Sequence, residues 1–548
     1  MLKIKNILTC AISISLFLMS STAADATQTA EDLRNSDISK LVKQSKFDSR
    51  DYGIVTPVRD QGDTSLCWAY STASASETSI LRSGIDKSVD KSSLSLSPQQ
   101  IGYARHNRGS DPLNNTTGEI TSSSGNWSYA GGGTKYAAAL LSTWCGPVKS
   151  DKAYNVNGWS NAAYKLESAI SVDGKNLNKD AAAREKMKRA IVKYGAVTFS
   201  YNNVREAYYY NPSKESGSSP HACTIIGWDD TIPAENFYPS KTTTDGGWLV
   251  KNSYSSLPYF YLSYEVTCEQ IYAFDYVMND KYDNNYFYDA SATDSGIGSL
   301  LKIKQAANVF KVKGDTENEW IKAVSVGIVG GNTDCTVEVY SDVQDGSFNP
   351  QNAKLETTKT VYLEYGGFNC IELDKPVEVK KGSTFAVVVK VNNAYITLSE
   401  NEGESYVYRG GWTPSQAVRI KVFTKNDEKN QNSIEFMDEG QVKVRGNGGI
   451  KQLIITMSEN EELKDFYVES INFDENKEKI VTLPSGWIRI ENIRYKAFLW
   501  DNFENISPEC SEIEWYKKER WQYDISSHKY SDSYKYDRRT WKTRFDAE

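Results

Sequence analysis

Histidine is nearly missing from this chain: His106, His221 and His528 are the only three in 548 residues. Chemistry that needs an imidazole therefore has few places to sit. An excess of positive charge is also missing. Lys and Arg number 63 against 71 Asp and Glu, a net charge of −8, which gives no basis for nucleic-acid binding. Long apolar runs are absent beyond the N-terminus. Ile7 to Met19 is apolar but too short to span a bilayer. Lys3 and Lys5 precede it, and Ser21-Thr22-Ala23 and Ala24-Asp25-Ala26 follow it as small-residue cleavage sites. Residues 1–26 therefore read as a secretory signal peptide. The C-terminus lacks a hydrophobic tail with basic residues, so covalent wall anchoring has no support.

Cysteine is scarce as well. Of eight, Cys10 lies in the signal segment, which leaves seven, an odd number that requires at least one free thiol in a secreted protein. Cys145, Cys223 and Cys268 share the first domain and cannot all pair with one another, while Cys335 and Cys370 share the second and can pair. What the chain does have is ordinary globular composition, 39% apolar and 24% charged, in a length suited to two to four domains. It also has 35 tyrosines, which favour β-rich architecture.

The free thiol has a natural place. In Gln61-Gly62-Asp63-Thr64-Ser65-Leu66-Cys67-Trp68-Ala69-Tyr70-Ser71, a polar loop leads into Ala69, Ala73 and Ala75, with no Gly or Pro before Gly84. This predicts a helix from Cys67 to about Arg82. A thiol at a helix N-terminus lies near the positive end of the dipole and unpaired backbone N–H groups, which favours the thiolate. Gln61, six residues upstream, carries an amide able to donate to an oxyanion formed at that sulfur. Among the histidines, His106 lies in a polar stretch and His528 in a charged tail; only His221 opens an apolar strand, in Pro220-His221-Ala222-Cys223-Thr224-Ile225-Ile226-Gly227-Trp228. Gly246-Gly247-Trp248-Leu249-Val250-Lys251-Asn252-Ser253-Tyr254 follows.

Phe47-Asp48-Ser49-Arg50-Asp51, Val55-Thr56-Pro57-Val58-Arg59-Asp60-Gln61-Gly62 and Cys67-Trp68-Ala69-Tyr70-Ser71 closely resemble the nucleophile region of the papain family of cysteine peptidases. The His221 and Lys251-Asn252-Ser253 segments resemble that family's histidine and asparagine motifs. The resemblance implies an α+β papain-like domain, with a helical half holding Cys67, a β-rich half holding His221 and a cleft between them. It implies catalytic roles for Cys67, His221, Asn252 and Gln61, with Asn252 orienting the imidazole, and it calls for no cofactor and no metal. Gly132 and Gly133, after Trp127-Ser128-Tyr129-Ala130-Gly131, take the place of a Gly-Gly that pairs with extended substrate. The chain departs from the family in Pro220 for a common Asn, in Tyr254 for the tryptophan over the Asn–His contact, and in Thr64, where many members have a bridged cysteine. Residues 27–46 are short beside the usual inhibitory prosegment.

Helices are also predicted over Lys135 to Trp144 and Asp180 to Tyr194, the latter capped by Asp180 and stopped by Gly195. The peptidase domain is expected over 47–283. After Asn284 the helix signals vanish and short apolar or alternating runs separated by Gly, Asn and Asp turns predict all-β sandwich modules. Residues 284–424 resemble the lectin-like domain that follows the peptidase in clostridial cell-surface cysteine proteases, a name for a fold that does not establish sugar binding. No tight acidic cluster there suggests calcium ligands. Beyond lie a linker (425–433), a small β-sandwich module (434–510) and a charged aromatic tail (511–548) with little periodicity.

The expected activity is secreted cysteine endopeptidase, acting on protein or peptide from an extracellular or cell-surface location. The expected protein is a monomer whose β modules attach it to a surface glycan or protein, with no nucleic acid as partner. Two other classes compete with this reading: a surface adhesin with an inert peptidase domain, and a different Cys-His amidase acting on cell-wall peptide. The intact set of four catalytic positions argues against the first. The Gln61 spacing and the Lys-Asn-Ser after His221 argue against the second.

Overall fold

The computed structural model describes residues 28–532 apart from 116–123, 153, 155–157, 175–176, 178, 204–206, 212–218, 294–301, 345–347, 427–432, 438–439, 447–448, 460–461, 474–476, 485–486, 488–493, 501–512, 517–520 and 525–528. The expected signal segment lies outside these residues. The chain forms two compact units, 1–313 with 321–425, and 314–320 with 426–548. No described helix is long and apolar enough to cross a membrane.

The first unit is built on the helix Cys67–Ser83, which ends at Gly84 with φ 66° and the Gly84 N–H on Ile80 O. Its small residues let it lie close against a sheet. Ser71 Oγ donates to Cys223 O at 2.5 Å, Ser79 Oγ donates to Phe274 O at 2.6 Å, and Ser76 Oγ meets Tyr276 Oη at 2.7 Å. The helix Ala181–Tyr194 is capped by Asp180, whose side chain accepts from the Ala182 N–H, and is ended by Gly195. The helix expected from Lys135 runs over Thr134–Ser142 and stops before Trp144, whose φ of 65° is incompatible with its continuation.

The strands Glu269–Met278, Val197–Asn203, Ser219–Asp229, Gly247–Lys251 and Tyr259–Ser263 are neighbours in a 14-stranded sheet. Their antiparallel register sets Tyr201 opposite His221 and Thr224 opposite Lys251. On the other side of Glu269–Met278 the sheet continues through Tyr164–Val172 into Gly366–Lys380, with Gly366 opposite Ser171 and Phe368 opposite Ala169. At Gly367 (φ 85°) a Cβ would sit 2.2 Å from Ala169 O, so the close approach requires glycine. The outer strands of this sheet, including Asn284–Tyr286, Ile420–Asn426 and Asn318–Val329, belong to the region expected to be a sandwich.

A second, six-stranded sheet completes that region, in the order Lys354–Leu363, Thr333–Ser341, Thr384–Val391, Gln305–Lys311, Ser405–Tyr408, Trp412–Ser415. Between the sheets lies an aliphatic core that includes Val324, Val326, Val337, Val339, Val387 and Val389. Cys335 and Cys370 do not pair: the described cysteines Cys67, Cys145, Cys223, Cys268, Cys335 and Cys370 are all free thiols.

The second unit has its own core, with Val442, Val444, Leu453, Ile455, Tyr495 and Leu499 at its centre. The stretch expected to be an aperiodic tail contributes strand Ile513–Tyr516, paired with Arg494–Trp500, and the paired strands Trp521–Asp524 and Lys529–Asp532. Short strands of this kind carry too few residues for alternation to register as a pattern.

Candidate active site

Cys67 is the first residue of its helix, and the preceding Leu66 makes no side-chain cap, so the helix N-terminus stays open at the thiol. Cys67 is half-buried. Burial opposes its ionisation, but hydrogen bonding and charge from His221, with backbone contacts at Ala222 and Trp68, outweigh it, and the thiol lies below its ordinary pKa.

His221 faces it from the strand Ser219–Asp229 and is 6% exposed. Burial opposes the imidazolium, yet the sulfurs of Cys223 and Cys67 favour it more strongly and raise the pKa well above the usual histidine range. The opposite displacements describe a thiolate–imidazolium pair. His221 Nε2 lies 3.0 Å from Asn252 Oδ1. Asn252 is fixed in turn: its Nδ2 donates to Leu257 O at 3.1 Å, and its Oδ1 accepts from the Ser253 N–H at 2.8 Å. Tyr254 stacks over the imidazole, centroids 5.6 Å apart and planes at 25°, so it covers the position where the family's tryptophan is expected.

Gln61 is brought to the same place from the other side of the cleft. Its backbone N–H donates to Ser253 O at 2.9 Å, and its Oε1 accepts from Ser253 Oγ at 2.6 Å. Its Nε2 donates to Thr64 O at 2.6 Å. The amide has two N–H donors, so one is spent on the loop and the second is the one able to serve an oxyanion. Asp60 Oδ2 accepts from the N–H and Oγ of Ser255, which ties the Gln61 loop to the Asn252 loop.

Gly132 lies flat against Trp68: a Cβ there would come within 2.3 Å of the indole. At Gly133 a Cβ would meet Gln270 Oε1 at 2.2 Å. The rigid indole therefore makes Gly132 a packing requirement, whereas at Gly133 the clash is with the end of a flexible side chain; Ser65 N–H, donating to Ser128 O at 2.8 Å, links their loop to that of Cys67. His106 is buried at the end of the helix Pro98–His106, and the imidazole that shifts Cys67 is that of His221. His528 lies outside the described residues. Among the described residues no group of three or more His, Cys, Asp or Glu side chains converges as a metal site.

Several contributing residues were not singled out from sequence. Cys223, two positions after His221 and so on the same strand face, places its Sγ 3.4 Å from Asn252 Oδ1. Behind Asn252, Lys251 Nζ donates to Thr56 Oγ1 at 3.0 Å, and Thr56 Oγ1 donates to Glu77 Oε2 at 2.5 Å. Glu77, in mid-helix and fully buried, also accepts from Arg59 Nη2 at 2.6 Å and from the Leu96 N–H at 2.7 Å. This network spans from the Cys67 helix to the Asn252 strand and so fixes the two halves against each other. Burial depresses the Lys251 pKa to about 8 although Glu77 opposes it. The sequence signal was there in Val-Thr-Pro-Val and Lys-Asn-Ser, but only the folded chain pairs them.

Comparison with known proteins agrees with this geometry. The family described as Papain family cysteine protease matches residues 43–258, and the Lectin like domain matches residues 286–424. A probable cysteine protease of Arabidopsis thaliana, RD19C, is 25% identical over 236 residues, 42% of this chain and 57% of that protein. Cathepsin K of Mus musculus is 24% identical over 216 residues, 38% of this chain and 55% of that protein. The chain thus spans a little over half the length of these relatives. The structure of the cysteine protease and lectin-like domains of Cwp84, a surface layer associated protein of Clostridium difficile, aligns over 70% of this chain and 89% of that one, with a TM-score of 0.54 and 21% identity. That likeness is one of fold. Residues 43–258 belong to the papain family of cysteine proteases, and residues 286–424 form a lectin-like domain.

Proposed function

We propose that this chain is a secreted thiol endopeptidase. The observation that carries the reading is the Cys67–His221 pair, thiol lowered and imidazole raised, with Asn252 3.0 Å from the far ring nitrogen. The Cys67 thiolate attacks the scissile carbonyl carbon, forming a C–S bond as the carbonyl electrons move to oxygen. The second Gln61 N–H and the Cys67 backbone N–H receive that oxyanion. His221 gives its proton to the leaving amine as the C–N bond breaks, leaving a thioester. It then takes a proton from water, which displaces the sulfur and restores the ion pair. Asn252 holds the ring in the orientation both steps need.

Gly132 and Gly133 are assigned to the wall along which extended substrate runs. The domain limits are taken as 1–26 signal peptide, 27–46 N-terminal segment, 47–283 peptidase, 284–424 lectin-like domain, 425–433 linker, 434–510 small β module and 511–548 tail. The protein is placed outside the cell or on its surface as a monomer, in keeping with the surface layer association of Cwp84. The β modules would attach it to a surface glycan or protein. The family match favours this reading over an inert adhesin or a cell-wall amidase. The deciding experiment is hydrolysis of a fluorogenic peptide by the secreted chain and by Cys67→Ala. Activity that survives the substitution would defeat the assignment.

A further inference from the structure

An inhibitory prosegment blocks an enzyme by lying across its substrate cleft, so the anchoring of residues 28–46 decides whether they can serve as one. The segment opens with the helix Ala30–Asn35, closed by a reciprocal cap. Thr29 Oγ1 accepts from the Asp32 N–H at 3.2 Å, and Asp32 Oδ2 accepts from the Thr29 N–H at 2.7 Å. A second short helix, Ile38–Leu41, follows and is capped by Asp37. Leu33 is fully buried, Leu41 and Val42 are buried, and all three belong to the core of the peptidase region. Ala30 and Ile38 pack against the same core. Apolar burial of this kind holds the segment in the fold.

Its anchors lie at the far ends of the two elements that carry the catalytic pair. Arg34 Nη1 donates to Arg82 O at 3.2 Å, near the end of the Cys67–Ser83 helix. The same guanidinium packs over Gly84, where a Cβ would come within 2.7 Å of it. On the β-rich half, Trp228 Nε1 donates to Gln44 O at 3.0 Å and the Asp230 N–H donates to Ser45 O at 2.7 Å. The strand Lys46–Asp48 then pairs with the end of Ser219–Asp229, setting Lys46 opposite Asp229 and Phe47 opposite Trp228. From Cys67 to Arg82 along a helix, and from His221 to Trp228 along a strand, is roughly 20 Å. The segment thus passes from the helical half to the β-rich half on the side away from Cys67 and His221.

We propose that residues 28–46 stay in the active enzyme as a strap joining the two halves, and that peptide hydrolysis does not require their removal. This rests on the peptidase reading above. The test uses the full secreted chain. One sample is treated with a thiol-directed peptidyl epoxide, which needs an open cleft, and another with iodoacetamide, which needs only a reactive thiol. Mass spectrometry then reads the label and the N-terminus of each labelled molecule. The strap predicts epoxide label at Cys67 on molecules that still carry residues 28–46. Epoxide label confined to molecules that begin after Lys46 would overturn it. So would iodoacetamide label without epoxide label on molecules that keep the segment. Label by neither reagent would defeat the peptidase reading itself, and with it the claim about hydrolysis. Two variants test the strap by its packing. Leu33→Ala leaves a cavity in the core, so it should lower the denaturation midpoint and should not raise kcat/KM. Arg34→Ala, at an exposed position, should act in the same direction with a smaller shift. Loosening an inhibitory contact raises activity, so a higher kcat/KM in either variant, or an unmoved midpoint in Leu33→Ala, would overturn the proposal.

Discussion

The peptidase region and the lectin-like region each bury a lysine with a carboxylate, and they use the pair differently. In the peptidase region Lys251 reaches Glu77 through Thr56, and the network stands directly behind Asn252 and the half-exposed Cys67. In the lectin-like region Lys421 Nζ meets Asp289 at 2.6 Å, both fully buried, and Arg419 joins them at 3.4 Å while donating to Ser291 O and Thr293 O. Burial depresses both lysines, each to about 8. The first network runs toward a reactive group. The second pins the strand Ile420–Asn426 to the segment entering the domain. The same buried chemistry thus positions a site in one case and staples a chain in the other.

Single substitutions would break or sharpen that contrast. Cys67→Ala should abolish peptide hydrolysis and leave the denaturation midpoint nearly unchanged, because the small residue suits a helix start. Lys421→Met strips buried Asp289 of a direct partner and should cost about 3–5 kcal/mol of stability in chemical denaturation, whereas Lys251→Met removes a donor to Thr56 Oγ1 and leaves Glu77 its contact with Arg59, so it should cost less. Only Lys251→Met should also lower kcat in the molecules that stay folded; an equal fall in both would erase the distinction. Gln61→Ala should cost about 2.7–4 kcal/mol in kcat with less effect on KM, because the lost donor serves the transition state. An unchanged kcat would mean that the contacts with Thr64 and Ser253 are the amide's whole role.

The smallest effects lie around the imidazole. The kcat/KM profile should rise as Cys67 ionises, below its ordinary thiol range, and fall as His221 loses its proton, above the ordinary histidine range. Cys223 helps to hold the imidazolium, so Cys223→Ala should move the basic limb to lower pH. A limb that stays in place removes Cys223 from the site. Tyr254→Trp should leave activity undiminished if the ring only covers the Asn252 contact.

The elements carrying the chemistry were legible because each is a local pattern. Alanines and the absence of Gly or Pro marked the Cys67–Ser83 helix, Asp180 and Gly195 bracketed the next, and one histidine of three opened an apolar strand. Contacts between distant segments were not legible. Glu77 reads as a solvent-facing charge in mid-helix until Thr56, Arg59 and Leu96 surround it. The boundary at Asp283 suggested a peptidase complete in itself. The structure instead runs Gly366–Phe368 along the strand Tyr164–Val172 and packs Tyr365 and Phe368 into the peptidase core. Alternation in a strand tells which face is buried and leaves its partner unnamed.

Thiol reactivity tests the central claim most directly. Burial pushes Cys145, Cys268 and Cys335 up to about 12 and Cys370 well above the ordinary thiol value, while Cys67 is lowered. The folded full chain is treated with one equivalent of iodoacetamide at about pH 6, where an ordinary thiol is almost wholly protonated, and the modified cysteine is located by mass spectrometry. The account predicts label at Cys67, falling sharply in His221→Ala. Label spread over several cysteines, or label at Cys67 that does not change when His221 is removed, would contradict it.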